Sequence, residues 1–354
     1  MLEVITIWFK NKFADPELLI LLSCIAIGVL LILYLGQIFA PFLAAIVITY
    51  LLQSIISPLE KYLKFPKWLA LPLVYLLFIS ILLVVVFVLV PMLGHQFAEF
   101  VQNIPTMMKK FHAFLTTLPQ KYPSYVTSRN IHELIQSTSL GKNEIAKVGK
   151  LVISVSVASL PNIISWLVYL FLVPLLVFFM LKDKATLLQW GSKFIPKQRG
   201  LLVRVWVEMQ AQLGNYVRGK VIEMVMVGVV TYIGFIIFGL KYASLLAFFV
   251  GFSVLIPYVG MVIVTIPVVI IGLVQWGASG TFTYMLIVYF VIQALDANLL
   301  VPLLFSEAVN IHPVAIIAAV LFFGGIWGFW GLVFAIPLAT LVKAILNSYD
   351  KHSR

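Results

Sequence analysis

Two long apolar blocks near the C-terminus, each divided by proline or glycine, constrain the fold of this chain most strongly. Residues 244–274 form a continuous apolar block of 31 residues, and residues 313–346 form a longer one. An unbroken helix of 31 residues would be about 46 Å long, whereas the hydrocarbon core of a bilayer is about 30 Å thick. We therefore predict that both blocks are broken, and the candidate break points are Pro257, Tyr258, Gly260, Gly324, Gly328 and Gly331.

The composition identifies the class of protein to which these blocks belong. Hydrophobic residues make up 62% of the chain, charged residues only 10%, and the mean hydropathy is +1.10. A soluble domain has about 25% charged residues. Apolar runs long enough to span a bilayer recur along the chain, so we predict an all-α polytopic membrane protein with about eight apolar membrane segments. The lipid bilayer is then an obligatory partner.

The apolar runs and the polar stretches between them divide the chain. We predict a first span at residues 18–35 and a second at 38–56, joined in a tight hairpin at Gly36 and Gln37. Further spans are predicted at 68–93, 163–181 and 221–239. The predicted regions are 1–94 (spans one to three), 95–150 (an external helical insertion), 151–181 (span four), 182–220 (a basic amphipathic segment), 221–346 (the transport core) and 347–354 (a tail).

The insertion begins with one apolar stripe at helical spacing, which predicts a helix packing on its own protein or lying at the membrane surface. Pro105 should kink this helix or start it. The stripe consists of Phe97, Val101, Ile104, Met108, Phe111, Leu115 and Leu118.

Basic residues in the short connections predict the orientation. The net charge is +11, which we attribute to the positive-inside rule and not to nucleic acid binding. Lys61, Lys64 and Lys67 follow span two, and the stretch 182–220 holds eight further basic residues. Placing these on the cytoplasmic side makes both termini cytoplasmic and the insertion 95–150 external.

Charge counting does not decide how the broken blocks are arranged. Each could be one long kinked helix, or a re-entrant hairpin of two half-helices, and both arrangements return the C-terminus to the same side. An internal similarity between residues 260–267 and 331–337 favours hairpins, because each segment runs from a glycine through apolar residues to an Ile-Pro pair. Hairpins that enter from opposite sides are typical of inverted-repeat transporters.

The span between the blocks carries the candidate site. Gln293, Asp296 and Asn298 lie in an otherwise apolar stretch. An aspartate at the centre of a span costs about 2.5–3.5 kcal/mol, so such residues commonly face a cavity or a partner. Gln293 and Asp296 are three residues apart and share a helical face, whereas Asn298 does not share it cleanly. These oxygens could bind a proton, a cation or a polyhydroxylated solute, although an interfacial aspartate reaching water remains the alternative.

A series of motifs over the C-terminal half resembles the autoinducer-2 exporter family, or PerM-type permeases. The series is Tyr216-x-Arg218-Gly219, Gly239-Leu240-Lys241-Tyr242-Ala243, Ile256-Pro257-Tyr258-Val259-Gly260, Asp296-x-Asn298-x-x-x-Pro302, His312-Pro313, the glycines 324, 328 and 331, and Ile336-Pro337. The chain departs from the family pattern at Lys220, where glutamine is frequent, at Met261, where proline is usual, and at Ser306, where glycine is frequent.

The resemblance implies a bacterial inner-membrane transporter that exports a small polar solute, driven by an ion gradient. Sodium/proton antiport is the alternative within the same class, and a channel or scaffold is a further one. We expect no enzyme activity, cofactor or metal site, since His132-Glu133 lacks the second histidine of a zinc-protease motif. His312 is expected to start a helix, and homo-oligomerisation is left open.

Overall fold

Helices make up almost the whole of the part of the chain that the computed structural model describes. That part is residues 16–121, 162–193, 200–257, 259–305, 311–328, 331–332 and 334–352, and it contains no β-strand. Tyr258 lies outside the described residues, and so does the part of the insertion that follows residue 121.

The α-helices are numbered in chain order, and two short π-helical segments interrupt the series. They are α1 (Pro16–Lys61), α2 (Lys67–Val84), a π-helical segment (Val85–Leu89), α3 (Val90–Lys121), α4 (Asn162–Lys182), α5 (Lys184–Ser192), α6 (Gly200–Phe238), α7 (Ala243–Ser253), α8 (Val259–Trp276), α9 (Gly280–Leu295), a second π-helical segment (Asp296–Leu300), α10 (Val301–Phe305), α11 (Pro313–Trp327) and α12 (Ala335–His352).

Within the described residues, five helical stretches are long and apolar enough to cross a membrane, and three shorter apolar helices accompany them. The long stretches are Ala40–Lys61, Lys67–Thr116, Gly214–Phe238, Val259–Trp276 and Gly280–Phe305, and the shorter ones are Val168–Lys182, Ala243–Ser253 and Val314–Trp327. The predicted fold class, an all-α polytopic membrane protein with about eight apolar segments, is confirmed.

The predicted hairpin between the first two spans is wrong. A single helix, α1, runs through Gly36 and Gln37 without a turn. One glycine costs a helix only about 1 kcal/mol and glutamine is a good helix former, so the dipeptide was too weak a signal for a turn. The basic residues predicted a cytoplasmic N-terminus only together with that hairpin, so the orientation of the N-terminus loses this support.

The insertion begins as a continuation of the third span. Helices α2 and α3, with the π-helical segment between them, form one uninterrupted helical stretch that passes through Pro105. Pro105 therefore does not start the helix. The row that packs against the core is Leu93, Phe100 and Met107, whereas Phe97 of the predicted stripe is 40% exposed. Packing on the protein itself is confirmed, but through a neighbouring row of side chains.

Polar side chains on α3 help to fix this packing. Asn103 Nδ2 donates to the Tyr242 hydroxyl at 3.0 Å, and the Tyr242 ring meets Phe100 edge-on. Gln96 Oε1 accepts a hydrogen bond from the Leu245 backbone N–H at 3.0 Å. That N–H lies in the first turn of α7, where helical backbone donors have no partner within the helix. Helix α3 thus supplies a partner for the start of α7.

The described helices form two compact units. The first comprises residues 1–81, 166–219 and 305–354, and one of its cores joins Ala45, Ile56, Val74 and Val177 of α1, α2 and α4. The second comprises residues 82–165 and 220–304, and its core joins α6, α7, α8 and α9. The candidate site residues Gln293, Asp296 and Asn298 all belong to the second unit.

The first broken block is a helical hairpin. Helix α7 ends at Ser253, residues 254–257 are not helical, and α8 begins at Val259. Near the end of α8, Gln275 Nε2 donates to the Gly239 carbonyl, while its Oε1 accepts from the Lys241 N–H, both at 2.8 Å. These bonds join the end of the block to the residues just before its beginning, so the chain has turned back on itself.

The second broken block is divided in the same way. Helix α11 ends at Trp327, and α12 begins at Ala335. Ile316 and Phe323 of α11 pack with Ala335 and Ala339 of α12 in one small core. His312 caps the start of α11 by accepting the Val314 N–H on Nδ1 at 3.3 Å, which agrees with its expected role as a helix-entry residue.

Each break contains a glycine that lies against a carbonyl of the preceding half-helix. A Cβ at Gly260 would overlap the Ser253 carbonyl, and one at Gly331 would overlap the Phe323 carbonyl. These glycines begin the two segments whose internal similarity predicted hairpins. Only glycine permits so close a backbone approach.

We expect Gly260→Ala to lower stability, because its methyl group must displace the Ser253 backbone. Overpacking of this kind costs about 1–3 kcal/mol. Gly94→Ala is the matched control, since Gly94 is also helical and nothing lies within 4 Å of the position of its Cβ. Apparent Tm values of the two purified variants in detergent should differ, with only Gly260→Ala falling below wild type; equal Tm values would contradict the close approach.

Candidate functional site

A buried ion pair lies on α6, where the sequence shows only a lysine and a glutamate three residues apart. Lys220 Nζ donates to Glu223 Oε1 at 3.0 Å and lies 2.8 Å from Oε2. Glu223 is only 2% exposed and Lys220 9%. The same ammonium donates to the Val254 carbonyl at 2.9 Å. Lys220 therefore connects Glu223 to the residue at which α7 stops being helical.

The close packing of α6 on α7 makes this bond geometrically feasible. One turn beyond Lys220, the Met224 carbonyl would lie 2.6 Å from a Cβ at Gly251, and a Cβ at Gly228 would lie 3.6 Å from the Ala247 carbonyl. The contacts descend α7 as they ascend α6, so the two helices are antiparallel. Small residues at a crossing let helix backbones approach closely.

Asp296 completes a cluster of three charged residues. It is 9% exposed, and its Oδ1 is buried without a hydrogen-bond partner. Electrostatically it is coupled to the ion pair, because the charge of Lys220 acts on Asp296 and the charge of Asp296 acts on Glu223. Asp296 also begins the second π-helical segment, whose closing bond runs from the Val301 N–H to the Asp296 carbonyl. Single π-helical turns occur frequently at functional sites.

Gln293 lies one turn before Asp296 and is also buried, with 4% exposure. Its Nε2 donates to the Tyr289 hydroxyl at 3.0 Å, and that hydroxyl lies 2.8 Å from Thr265 Oγ1. Thr265 donates its own proton to the Met261 carbonyl, so the Tyr289 hydroxyl must donate to Thr265. This chain of hydrogen bonds fixes the first turns of α8, just after the break, to α9.

Asn298 does not share the buried face with Asp296. Its side chain is exposed, and Nδ2 donates to the Ala294 carbonyl one turn earlier at 2.8 Å. The structure thus brings Gln293 and Asp296 into one buried row and leaves Asn298 on another side of the same helix. Its assignment to the site stays a prediction.

The predicted break points belong to two different units. Pro257 and Gly260 lie in the second unit, together with Asp296. Gly324, Gly328 and Gly331 lie in the first unit, where Gly328 has a φ of +58° just after α11. The first break has a defined connection to the charged cluster through Val254.

Neither Lys220 nor Glu223 was selected for the site from the sequence. Both lie near the end of a predicted span, where charged side chains commonly reach water. The available signal was their three-residue spacing in a stretch that is apolar on its C-terminal side. Among the described residues, no three His, Cys, Asp or Glu side chains come together as a metal site would require.

A cavity of about 310 Å³ lies elsewhere in the second unit, between α3 and the end of α8. Its lining is mainly apolar and includes Phe111, Phe114, Leu273 and the charged residue Lys110. None of the charged cluster residues lines it. The candidate site is defined by buried charge and not by this cavity.

Comparison with known proteins agrees with this architecture. Residues 19–351 match the model of the family described as "AI-2E family transporter". The chain is 45% identical to "Putative permease PerM" of Escherichia coli (strain K12) over 349 residues, which cover 99% of this chain and 98% of that protein.

More distant relatives come from Bacillus subtilis (strain 168). The chain is 28% identical to "Putative transport protein YueF", with 88% of this chain and 84% of that protein covered. It is 26% identical to "Putative transport protein YrrI", with coverages of 89% and 87%. The similarity therefore extends over nearly the whole chain and is not confined to the motifs around the breaks.

The hydrogen bonds of Tyr289 lead to a test by substitution. We expect Tyr289→Phe to destabilise the protein by about 1–3 kcal/mol, because Gln293 would lose its acceptor inside the protein. Tyr284→Phe removes the same hydroxyl from an exposed position on the same helix and should be close to neutral. Apparent Tm values measured in detergent test this difference, and a Tyr289→Phe protein as stable as Tyr284→Phe would show that the bonds contribute little.

Proposed function

This chain belongs to the AI-2E family of transporters, and we propose that it is a secondary transporter that exports a small polar solute at the expense of an ion gradient. It is a multi-pass membrane protein of a bacterial permease family. The proposed site is the buried row of Gln293 and Asp296 beside the first break, with Asn298 as a further predicted member.

The observation that carries the proposal is the buried Asp296 carboxylate with an unpartnered oxygen. Burying a carboxylate without a partner is costly, and intramembrane acids commonly mark the pathways of ions or protons. Asp296 lies at a π-helical turn and interacts with the ion pair that reaches the broken backbone. An acid placed there can link the binding of an ion to a change at the break.

Sodium/proton antiport is the second candidate, and the acidic excess of the cluster favours it. Two carboxylates, Glu223 and Asp296, share the neighbourhood of one ammonium group. Such a cluster attracts a proton whether or not an organic solute or a sodium ion also moves. The two candidates therefore share the same ion site and differ in the second species transported.

We expect Asp296→Asn to abolish the dependence of transport on a proton gradient, because the amide keeps the shape but carries no titratable proton. Purified protein is reconstituted into liposomes. Autoinducer-2 flux is measured with and without an imposed pH gradient, and sodium-dependent pH change is followed in parallel with an internal dye. The first signal supports solute export, the second supports antiport, and the absence of both from wild type would refute the proposed function.

Asp183→Asn is the matched control, because it makes the same chemical change between α4 and α5, in the other compact unit. It should keep the wild-type response to the gradient. Equal gradient dependence in normally inserted Asp296→Asn protein would exclude Asp296 from the coupling site.

The proposed orientation places the basic segments on the cytoplasmic side of the bacterial inner membrane, following the positive-inside rule. These segments are the loop between α1 and α2, the region 182–220 and the C-terminal tail. Helix α3 then projects outward from the external surface. Together, α2, the π-helical segment and α3 form a helical stretch about 80 Å long from Lys67 to Lys121, which is far more than one membrane thickness.

Cysteine labelling tests this orientation. In a background with Cys24 replaced, single cysteines are introduced at Lys64, Lys109 and Lys184, all of which are exposed. A membrane-impermeant maleimide added to intact cells should modify only the cysteine at Lys109. All three should react after permeabilisation, which controls for accessibility, and labelling of Lys64→Cys or Lys184→Cys in intact cells would reverse the orientation.

A further inference from the structure

The buried cluster of Lys220, Glu223 and Asp296 does not balance its own charge. One ammonium faces two carboxylates, so the fully ionised cluster would carry a net charge of −1. Glu223 is 98% buried and Asp296 91% buried. Leaving an uncompensated charge in such a place is strongly unfavourable, so one further positive charge has to enter the cluster.

The geometry decides which carboxylate needs it. Lys220 Nζ donates to Glu223 Oε1 at 3.0 Å, and Oε2, which has no hydrogen-bond partner, lies 2.8 Å from the same ammonium. This direct ion pair neutralises the Glu223 carboxylate. The lysine charge also acts on Asp296, but the buried Oδ1 of Asp296 has no hydrogen-bond partner. The missing positive charge therefore belongs on Asp296.

The surroundings favour a proton over a metal cation. A sodium or calcium ion would need several oxygen ligands, as hard cations do. The Val254 carbonyl already accepts a hydrogen bond from Lys220, and no group of three acidic or histidine ligands exists among the described residues. Helices α7 and α8, which pack in the same core, carry no titratable side chain. Among the described residues, the charged groups coupled to Asp296 are Lys220 and Glu223 of α6.

We propose that these three residues form a site that holds one proton, carried by Asp296, and that Lys220 sets this number by neutralising Glu223. The proton count is a property of the cluster itself, while its part in transport rests on the proposed function. The ligand is a proton, which adds to a carboxylate oxygen of Asp296 and leaves to water, with no other bond made or broken.

Release of that proton has a consequence for the first break. An ionised Asp296 competes with Glu223 and with the Val254 carbonyl for the ammonium of Lys220. Val254 is the residue that follows α7, where a cation interacts favourably with the unpaired carbonyls of a helix end. Movement of Lys220 toward Asp296 would weaken that contact. The cluster therefore gives the proton a direct connection to the end of the half-helix.

Infrared spectroscopy of the purified, reconstituted protein tests the proton count without requiring transport. At neutral pH we expect the C=O stretching band of one protonated carboxylic acid in wild type, shifted in D2O, and its loss in Asp296→Asn. Glu223→Gln should also abolish the band, because Lys220 then pairs with Asp296. Lys220→Met should double the band area, since both carboxylates must be protonated.

The double variant Lys220→Met with Glu223→Gln separates the proposal from a merely structural ion pair. It leaves Asp296 as the one carboxylate of the cluster and should restore the band area of wild type. If the ion pair is merely structural, the double variant should regain stability, but no variant of Lys220 or Glu223 should change the band. Asp183→Asn should not change the spectrum. The absence of the band from wild type, or its survival in Asp296→Asn, would overturn the proposed proton site even if transport had been demonstrated. If the band behaves as expected but the protein shows no flux, only the proposed transport function is refuted.

Discussion

The ammonium of Lys220 donates to a Glu223 oxygen and to the Val254 carbonyl, and this pair of bonds joins the buried charge to the broken backbone. A buried ion pair contributes little to stability on its own, because desolvation of both ions offsets their attraction. The role of this ion pair is therefore better explained by the way it positions the end of α7 than by its contribution to the stability of the fold. The lysine fixes the end of α7 at the level of Glu223, and the antiparallel contact of α6 with α7 holds both in place.

The hairpin in the first broken block depends on the same principle of satisfied backbone groups. Hydrocarbon offers no hydrogen-bond partners, so irregular backbone is tolerated only where protein or water satisfies it. Lys220 bonds the Val254 carbonyl at one end of the hairpin, and Gln275 bonds Gly239 and Lys241 at the other. Gln293 and Tyr289 connect the start of α8 to the adjacent helix. Polar side chains thus occur at the places where the helix is interrupted and at its junctions.

Features that depend on helix length and hydropathy were predicted correctly from the sequence. Predictions that relied on short local signals, such as a single glycine or one apolar row, were wrong. Breaks in both blocks follow from helix length against bilayer thickness, and the burial of Asp296 follows from its apolar surroundings. The hairpin at Gly36 failed because helix propensity and apolar continuity outweigh one glycine. The packing face of α3 was misplaced because several apolar rows lie side by side, and only tertiary contacts select the row containing Phe100. Lys220 and Glu223 could not be assigned because their burial depends on how α7 packs against α6.

The identity of residue 220 determines the charge of the cluster. A glutamine at this position could donate a hydrogen bond to the Val254 carbonyl but could not neutralise Glu223. Two buried carboxylates would then remain without a cation, and each would require its own proton. Lysine supplies both the hydrogen bond and the charge, and in the proposed site this leaves Asp296 as the acid of the cluster that carries the proton. In this chain the geometry of the break and the charge balance of the site therefore depend on one side chain.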